Sequence, residues 1–437
     1  MIGSLDPRSK DVTVVGAGIS GLLIAYFLDQ AGYHVVLLDR AEREGGLIST
    51  GATPLGLVER AAHSMPATPT LVGLCADLGV ELCPIRSEAR ARWIFRGGKP
   101  RRLPLSPLEL LAMLARAYFV LAPPLDPESL TLEQWSRRFL GEKALRYLIT
   151  PFVRGIYGTS PSELSVSAAF PSLCVPRGHS LISYLLARRW RRSPPAGVNR
   201  PLRRFPRGKI VAPRGGMQAF TDALGRRLEE KLGSRFQRRA SIEEIGELEA
   251  QPNLILCVPA QEAGHLLSGQ SPELASMLAN VGYSPLTTTT IFMDSSALRR
   301  SPRGLGVLVP AGEGRRCLGI LYNSSAFPGR VSREDLVSVT MMLDGSAPAV
   351  GSPEFQEVIR SELHAMIGLQ GEPLEIHAWR WERAVPKYDA HLLKSWECAE
   401  RSWCSKPGRI LFGSYTGQLS IRGMAELAKE AVSPRTA

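Results

Sequence analysis

The chain has 437 residues, 44% of them hydrophobic and 22% charged, which suits a folded soluble or peripheral protein of two or three domains. No uncharged apolar run reaches the roughly 18 residues a membrane-crossing helix needs, and no signal-peptide core opens the chain. Seven scattered cysteines without ligand spacing exclude a disulfide framework and zinc and point to a reducing compartment, while a net charge of +12 calls for an anionic partner or a solvated basic loop.

The first element is the most informative. Val12–Val15 reads as a buried parallel strand, Leu22–Gln30 as the following helix and Val35–Leu38 as the second strand, closed by Asp39. Between strand and helix lies Gly16-Ala17-Gly18-Ile19-Ser20-Gly21. Gly16 permits the tight turn, Gly18 lets backbone approach a pyrophosphate, and Gly21 lets helix and strand pack closely. Free N–H groups at the helix start suit the pyrophosphate. Asp39 suits ribose hydroxyls and repels a 2′-phosphate. A dinucleotide is therefore expected here.

Thr70–Gly79 reads as a short amphipathic helix, and Trp93–Pro100 as a hairpin turning at Gly97-Gly98. Residues 107–190 are almost wholly helical in pattern, with helices expected over Leu108–Leu121, Leu132–Tyr147 and His179–Trp190. The first of these is apolar enough to lie in a membrane interface, with a buried core helix as the close alternative. Arg188–Lys209 is a basic run broken by Pro194, Pro195, Gly197 and Pro201; it reads as a solvated loop, with anionic lipid as the alternative. No base-reading fold is visible, so nucleic acid is not an expected partner. Regular structure resumes at Ile210, with a helix to Leu232 and an apolar strand at Leu254. An antiparallel sheet is expected from Thr287–Met293, Val307–Pro310, Leu318–Tyr322, Met341–Leu343 and Ile376–Trp379, then a strand from Arg409 and a helix over Met424–Val432.

Several segments together resemble the FAD-dependent, oxygen-using protoporphyrinogen oxidases, within the flavin-containing amine oxidase superfamily. They are Val153–Ser165 with Phe170-Pro-Ser-Leu, Pro213–Gln218, Gly304–Pro310, Leu318–Arg330 and Trp381–Asp389. The resemblance implies an α/β fold in three parts. A discontinuous Rossmann-like FAD domain would comprise 1–88, 205–262 and 404–437, a sheet-based substrate domain 89–97 and 263–403, and a helical membrane-associating domain 98–204. It implies FAD held by Gly16–Gly21, Asp39, Arg40, Gly45, Gly46, Leu47, Ala61, Ala62, His63, Ser64, Ala240 and the tail residues Gly417, Gln418, Leu419 and Ser420. No side chain is implied as catalytic and no metal as ligand.

The implied reaction is the six-electron oxidation of protoporphyrinogen IX to protoporphyrin IX by molecular oxygen. Arg92 would pair with a propionate, and Leu305, Val307, Leu318, Leu321 and Phe327 would form apolar walls. Arg96, Arg101 and Arg102 keep coproporphyrinogen open as substrate. The tail run Gly417–Met424 lacks the acid of the family pattern, and Ala61-Ala62 replaces its Gly-Pro, so a non-catalytic flavin or porphyrin binder is the competing class. An amine oxidase would show an aromatic cage, for which Tyr415 is the one candidate. Peripheral contact with one membrane leaflet, a cytoplasmic-side location and a homodimer complete the expectations.

Overall fold

The computed structural model describes residues 1–122, 130–190, 209–241, 248, 250–299 and 301–433, so most of the basic run 188–209 lies outside the described residues. A five-stranded parallel sheet carries the strands Phe236–Gln237, His34–Leu38, Asp11–Val15, Asn253–Leu256 and Arg409–Leu411, in that spatial order. Its strands come from both ends and the middle of the chain. Such a sheet needs cover on both faces. The helix Ile19–Gln30 lies against it, with Leu22, Leu23, Ile24, Ala25 and Leu28 all fully buried, and the helices Met217–Leu232 and Ile421–Val432 join the same core. Each such Leu or Ile is worth about 1.5–3 kcal/mol of apolar burial.

A seven-stranded sheet runs Glu375–Pro386, Tyr283–Asp294, Leu336–Asp344, Cys317–Leu321, Gly306–Leu308, Arg92–Arg96 and Lys99–Arg101. It is antiparallel except where Gly306–Leu308 runs parallel to Arg92–Arg96. The helix Pro353–Ile367 packs on one face. Sequence pattern did not single this helix out, although Ser352 caps it and Gly368 ends it in the left-handed region. Gly97 and Gly98 have φ of 61° and 76°, the positive values of a two-residue hairpin turn.

The expected helix over Leu132–Tyr147 is broken. It ends at Phe139, Gly141 takes φ 86°, and the chain continues through Glu142–Ala144 and a π-helical turn Leu145–Ile149 into the helix Thr150–Tyr157. Only glycine adopts that φ cheaply, so Gly141 fixes the break. The helix Pro107–Phe119 is capped by Ser106 and buries only Ala117. Leu108, Leu111 and Phe119 on it are 78%, 65% and 74% exposed. Of the two expectations for it, the buried core helix is excluded. No helix among the described residues is long and apolar enough to cross a membrane.

Candidate functional site

The glycine turn is built by contacts too close for any side chain. A Cβ on Gly21 would stand 1.7 Å from the carbonyl oxygen of Gly16, and Gly16 itself has φ 101°. The N–H of Gly45 donates to Ala17 O at 2.8 Å, which brings Gly45-Gly46 against Gly18; a Cβ on Gly46 would lie 3.3 Å from the Gly18 Cα. Backbone of the two glycine turns thus meets with no side chain between, at a helix N-terminus that no side chain caps. Ile19 and Ser20 begin that helix.

Asp39 closes the second strand, and its carboxylate accepts the N–H of Ala17 and, at 2.6 Å, that of Ala41. A carboxylate has further lone pairs for ribose hydroxyls. Ala240 donates its N–H to Asp39 O at 2.9 Å, beside the same strand end. The Arg40 guanidinium is paired with Glu262 at 2.9 Å, and Leu47 stands 41% exposed past the glycine pair.

Ala61, Ala62, His63 and Ser64 follow a buried charge pair that sequence reasoning did not single out. Glu59 Oε1 lies 2.5 Å from Arg330 Nη1 and accepts the Met217 N–H at 2.9 Å, while Glu59 Oε2 accepts from Thr50 Oγ1 at 2.6 Å. Arg330 Nη2 donates to His63 O at 3.0 Å. Arg60 O accepts from Thr288 Oγ1 at 2.9 Å and Trp381 Nε1 at 2.7 Å, and the Arg60 guanidinium lies 4.3 Å from the Trp379 ring centroid. The segment 59–64 is thus fastened to the edge of the large sheet. His63 Nε2 is buried with no hydrogen-bond partner among the described residues. Burial, then the Arg330 charge, pushes its imidazole down to about 3.

At the tail, Gly417 takes φ 94°, Ser420 Oγ accepts the Gly423 N–H at 3.1 Å and so caps the last helix, and Gln418 reaches toward Gly423. Leu419 packs at the edge of the core. Tyr415, the cage candidate, is 1% exposed and inside that core, so it offers no cage wall.

Strand register sorts the expected substrate residues. Arg92, Gly306, Leu321, Thr340, Thr290 and His377 stand opposite one another in turn, forming one row on the face away from the helix Pro353–Ile367. Thr290 Oγ1 lies 3.0 Å from Thr340 Oγ1, which accepts from Asn323 Nδ2 at 2.8 Å. In the next row are Ile94, Leu308, Gly319, Met342, Thr288 and Trp379. Arg92 is exposed, and no partner engages its guanidinium among the described residues. Leu321 is half-buried on the same row.

Val307 points the other way. It is 1% exposed in the core under the helix Pro353–Ile367, so Leu308 takes its place on the open face. A one-residue offset reverses the face of a strand side chain, and Val307-Leu308-Val309 is apolar on both faces, so pattern could not choose. Phe327 is 5% exposed in a small cluster with Ala89, Ala212 and Ala326, against which Leu305 packs. That makes Phe327 a core residue. Leu318 is 2% exposed at an irregularity in its strand's pairing.

The sequence profile of the flavin-containing amine oxidoreductases matches residues 19–425 of this chain. The chain belongs to that family. It is 28% identical to protoporphyrinogen oxidase 2 of Arabidopsis thaliana over 94% of this chain and 91% of the relative, and 25% identical to protoporphyrinogen oxidase of Bos taurus over 97% and 98%. The cyclohexylamine oxidase of Brevibacterium oxydans IH-35A superposes with a TM-score of 0.67, covering 97% of each chain at 18% identity, a likeness of fold. As a member of this family the protein is an FAD-dependent oxidoreductase.

The residues present fit that cofactor. Gly18 and Gly46 face each other with backbone alone, the helix start beside them is uncapped, and His63 Nε2 is a buried polar atom without a partner among the described residues.

Proposed function

We propose that this flavoprotein oxidises protoporphyrinogen IX to protoporphyrin IX, with molecular oxygen as acceptor and hydrogen peroxide as the second product, while resting on one membrane leaflet. The observation that carries the reading is Arg92, a guanidinium with no partner among the described residues, at the end of a sheet row whose next members are Gly306 and the half-buried Leu321. A charge-assisted bond from Arg92 to a propionate would hold an otherwise apolar ring in register over that face. FAD, when bound, supplies the two-electron acceptance the reaction needs and its reoxidation by oxygen. The chain's own part is to bind and orient. In this reading 1–88, 205–262 and 404–437 carry the cofactor, through Gly16–Gly21, Asp39, Gly45-Gly46, the 61–64 segment and the backbone of 417–420. Residues 89–97 and 263–403 carry the substrate. The segment 98–204 meets lipid through Leu108, Leu111, Leu114, Tyr118 and Phe119, which are all exposed.

Arg96 is bonded through both terminal nitrogens to Glu109, at 2.7 and 2.9 Å, and so is not available to a further propionate. Arg101 and Arg102 are exposed, so a direct comparison of rates decides between the two porphyrinogens. Oxygen uptake and porphyrin fluorescence with protoporphyrinogen IX and coproporphyrinogen III, side by side, test the reading. Faster growth of the protoporphyrin signal supports it, and growth with coproporphyrinogen alone overturns it.

A further inference from the structure

We propose that the Arg96–Glu109 pair couples lipid contact of the helix Pro107–Phe119 to the position of Arg92. The inference rests on the lipid contact and the role of Arg92 proposed above. Arg92, Ile94 and Arg96 alternate along one strand and share its face. Arg96 then reaches across to the start of the apolar helix, with Nη1 donating to Pro104 O and to Glu109 Oε2 and Nη2 donating to Glu109 Oε1. Glu109 serves the helix as well: its Oε2 accepts the Ser106 N–H at 2.8 Å, and its own N–H donates to Ser106 Oγ at 3.3 Å, a complete capping box. The first turn of the helix therefore cannot tilt without pulling on the hairpin.

The pair is well shielded for an ion pair near the surface, its side chains 23% and 18% exposed. Beneath it the Arg96 guanidinium lies 4.1 Å from the ring centroid of Tyr147, which is buried on the π-helical turn. A second tie joins the hairpin turn to the neighbouring loop, from Gly97 N–H to Glu313 Oε2 at 2.8 Å. Hydrogen bonds from Arg96 hold the Glu109 carboxyl down to about 2, so the pair stays charged at any physiological pH.

An anionic leaflet is the occupant the surface favours. The helix shows water a run of leucine and aromatic side chains, Leu103 just before it is 82% exposed, and the exposed Lys99, Arg101 and Arg102 flank it on a chain of net charge +12. Seating the helix in lipid would fix its first turn, and through Arg96 the strand that carries Arg92.

The test uses the full chain loaded with FAD, with and without vesicles of phosphatidylglycerol and phosphatidylcholine, and hydrogen exchange of residues 92–101 and 107–119. Glu109→Gln is the uncoupling variant, since glutamine keeps the capping box and loses the ion pair. In the wild type, vesicles should slow exchange in both segments; in the variant they should slow it in the helix alone. In parallel, the KM for protoporphyrinogen should fall about threefold or more on vesicles in the wild type and stay high in the variant, with kcat unchanged. Equal protection of the hairpin in both proteins, or a helix that vesicles leave unprotected, overturns the proposal. Exchange needs no substrate, so a failure to turn over any porphyrinogen would strike the proposed reaction and leave the coupling result standing.

Discussion

Arg330 and Glu59, 271 residues apart in sequence, meet at 2.5 Å with side chains 4% and 2% exposed. Burying two charges is costly, and the structure compensates with donors. Glu59 takes hydrogen bonds from Thr50 and from the Met217 backbone, and Arg330 gives its other nitrogen to His63 O. Removing one partner leaves the other's buried charge without its counter-ion. Arg330→Ala should therefore cost about 3–5 kcal/mol of unfolding free energy, read from urea denaturation, and release the 59–64 segment so that FAD content falls. A loss below about 1 kcal/mol would mean the pair is bystander geometry.

Gly18 and Gly21 should separate cofactor binding from folding. A Cβ on Gly18 meets nothing closer than the Gly46 Cα at 4.0 Å, so Gly18→Ala should leave the thermal midpoint of the apoprotein within about 2 °C while weakening FAD at least about tenfold. Gly21→Ala drives a Cβ to 1.7 Å from Gly16 O and should lower stability as well. Titration of both apoproteins with FAD, followed by flavin fluorescence, checks the contrast. Undiminished affinity in Gly18→Ala would move the pyrophosphate away from this turn.

His63 gives a pH dependence with a definite sign. Its pKa in the fold is about 3, against an ordinary value near 6.5, because burial and then Arg330 disfavour the imidazolium. Between those values the unfolded chain holds a proton that the folded chain does not. Stability is thus lost as pH falls below 6.5, by about 2 kcal/mol between pH 7 and pH 5 for this one group. His63→Gln should flatten the pH dependence of apoprotein stability by that amount. An unchanged slope would show that the imidazole finds a proton partner when folded.

Arg92→Ala should raise the KM for protoporphyrinogen by about tenfold or more and leave both FAD content and kcat near wild type, the signature of lost ground-state binding. Steady-state kinetics with a flavin absorbance reading on the same sample decides it. An unchanged KM would remove Arg92 from the substrate site.

The nucleotide turn was legible because its demands are local. Gly16 and Gly21 touch across five residues, and no other residue type fits the gap. The Glu59–Arg330 pair was not, since it joins distant segments and nothing in either neighbourhood signals the other. Val307 escapes the pattern for a different reason: its strand is apolar on both faces, so alternation carries no information and only the register with Arg92–Arg96 and Cys317–Leu321 orients it. The break at Gly141 was visible as a glycine, but an apolar pattern on both sides of it hid the change of direction. Exposure of the helix Pro107–Phe119 was undecidable from composition, because a lipid-facing helix and a core helix need the same residues.

The most direct test of the central claim is an anaerobic mixing experiment with the FAD-loaded protein and protoporphyrinogen IX, watching the absorbance of oxidised flavin. This absorbance should bleach as porphyrin fluorescence rises, and return when air is admitted. Flavin that stays oxidised under protoporphyrinogen, in a protein whose FAD is fully bound, would contradict it.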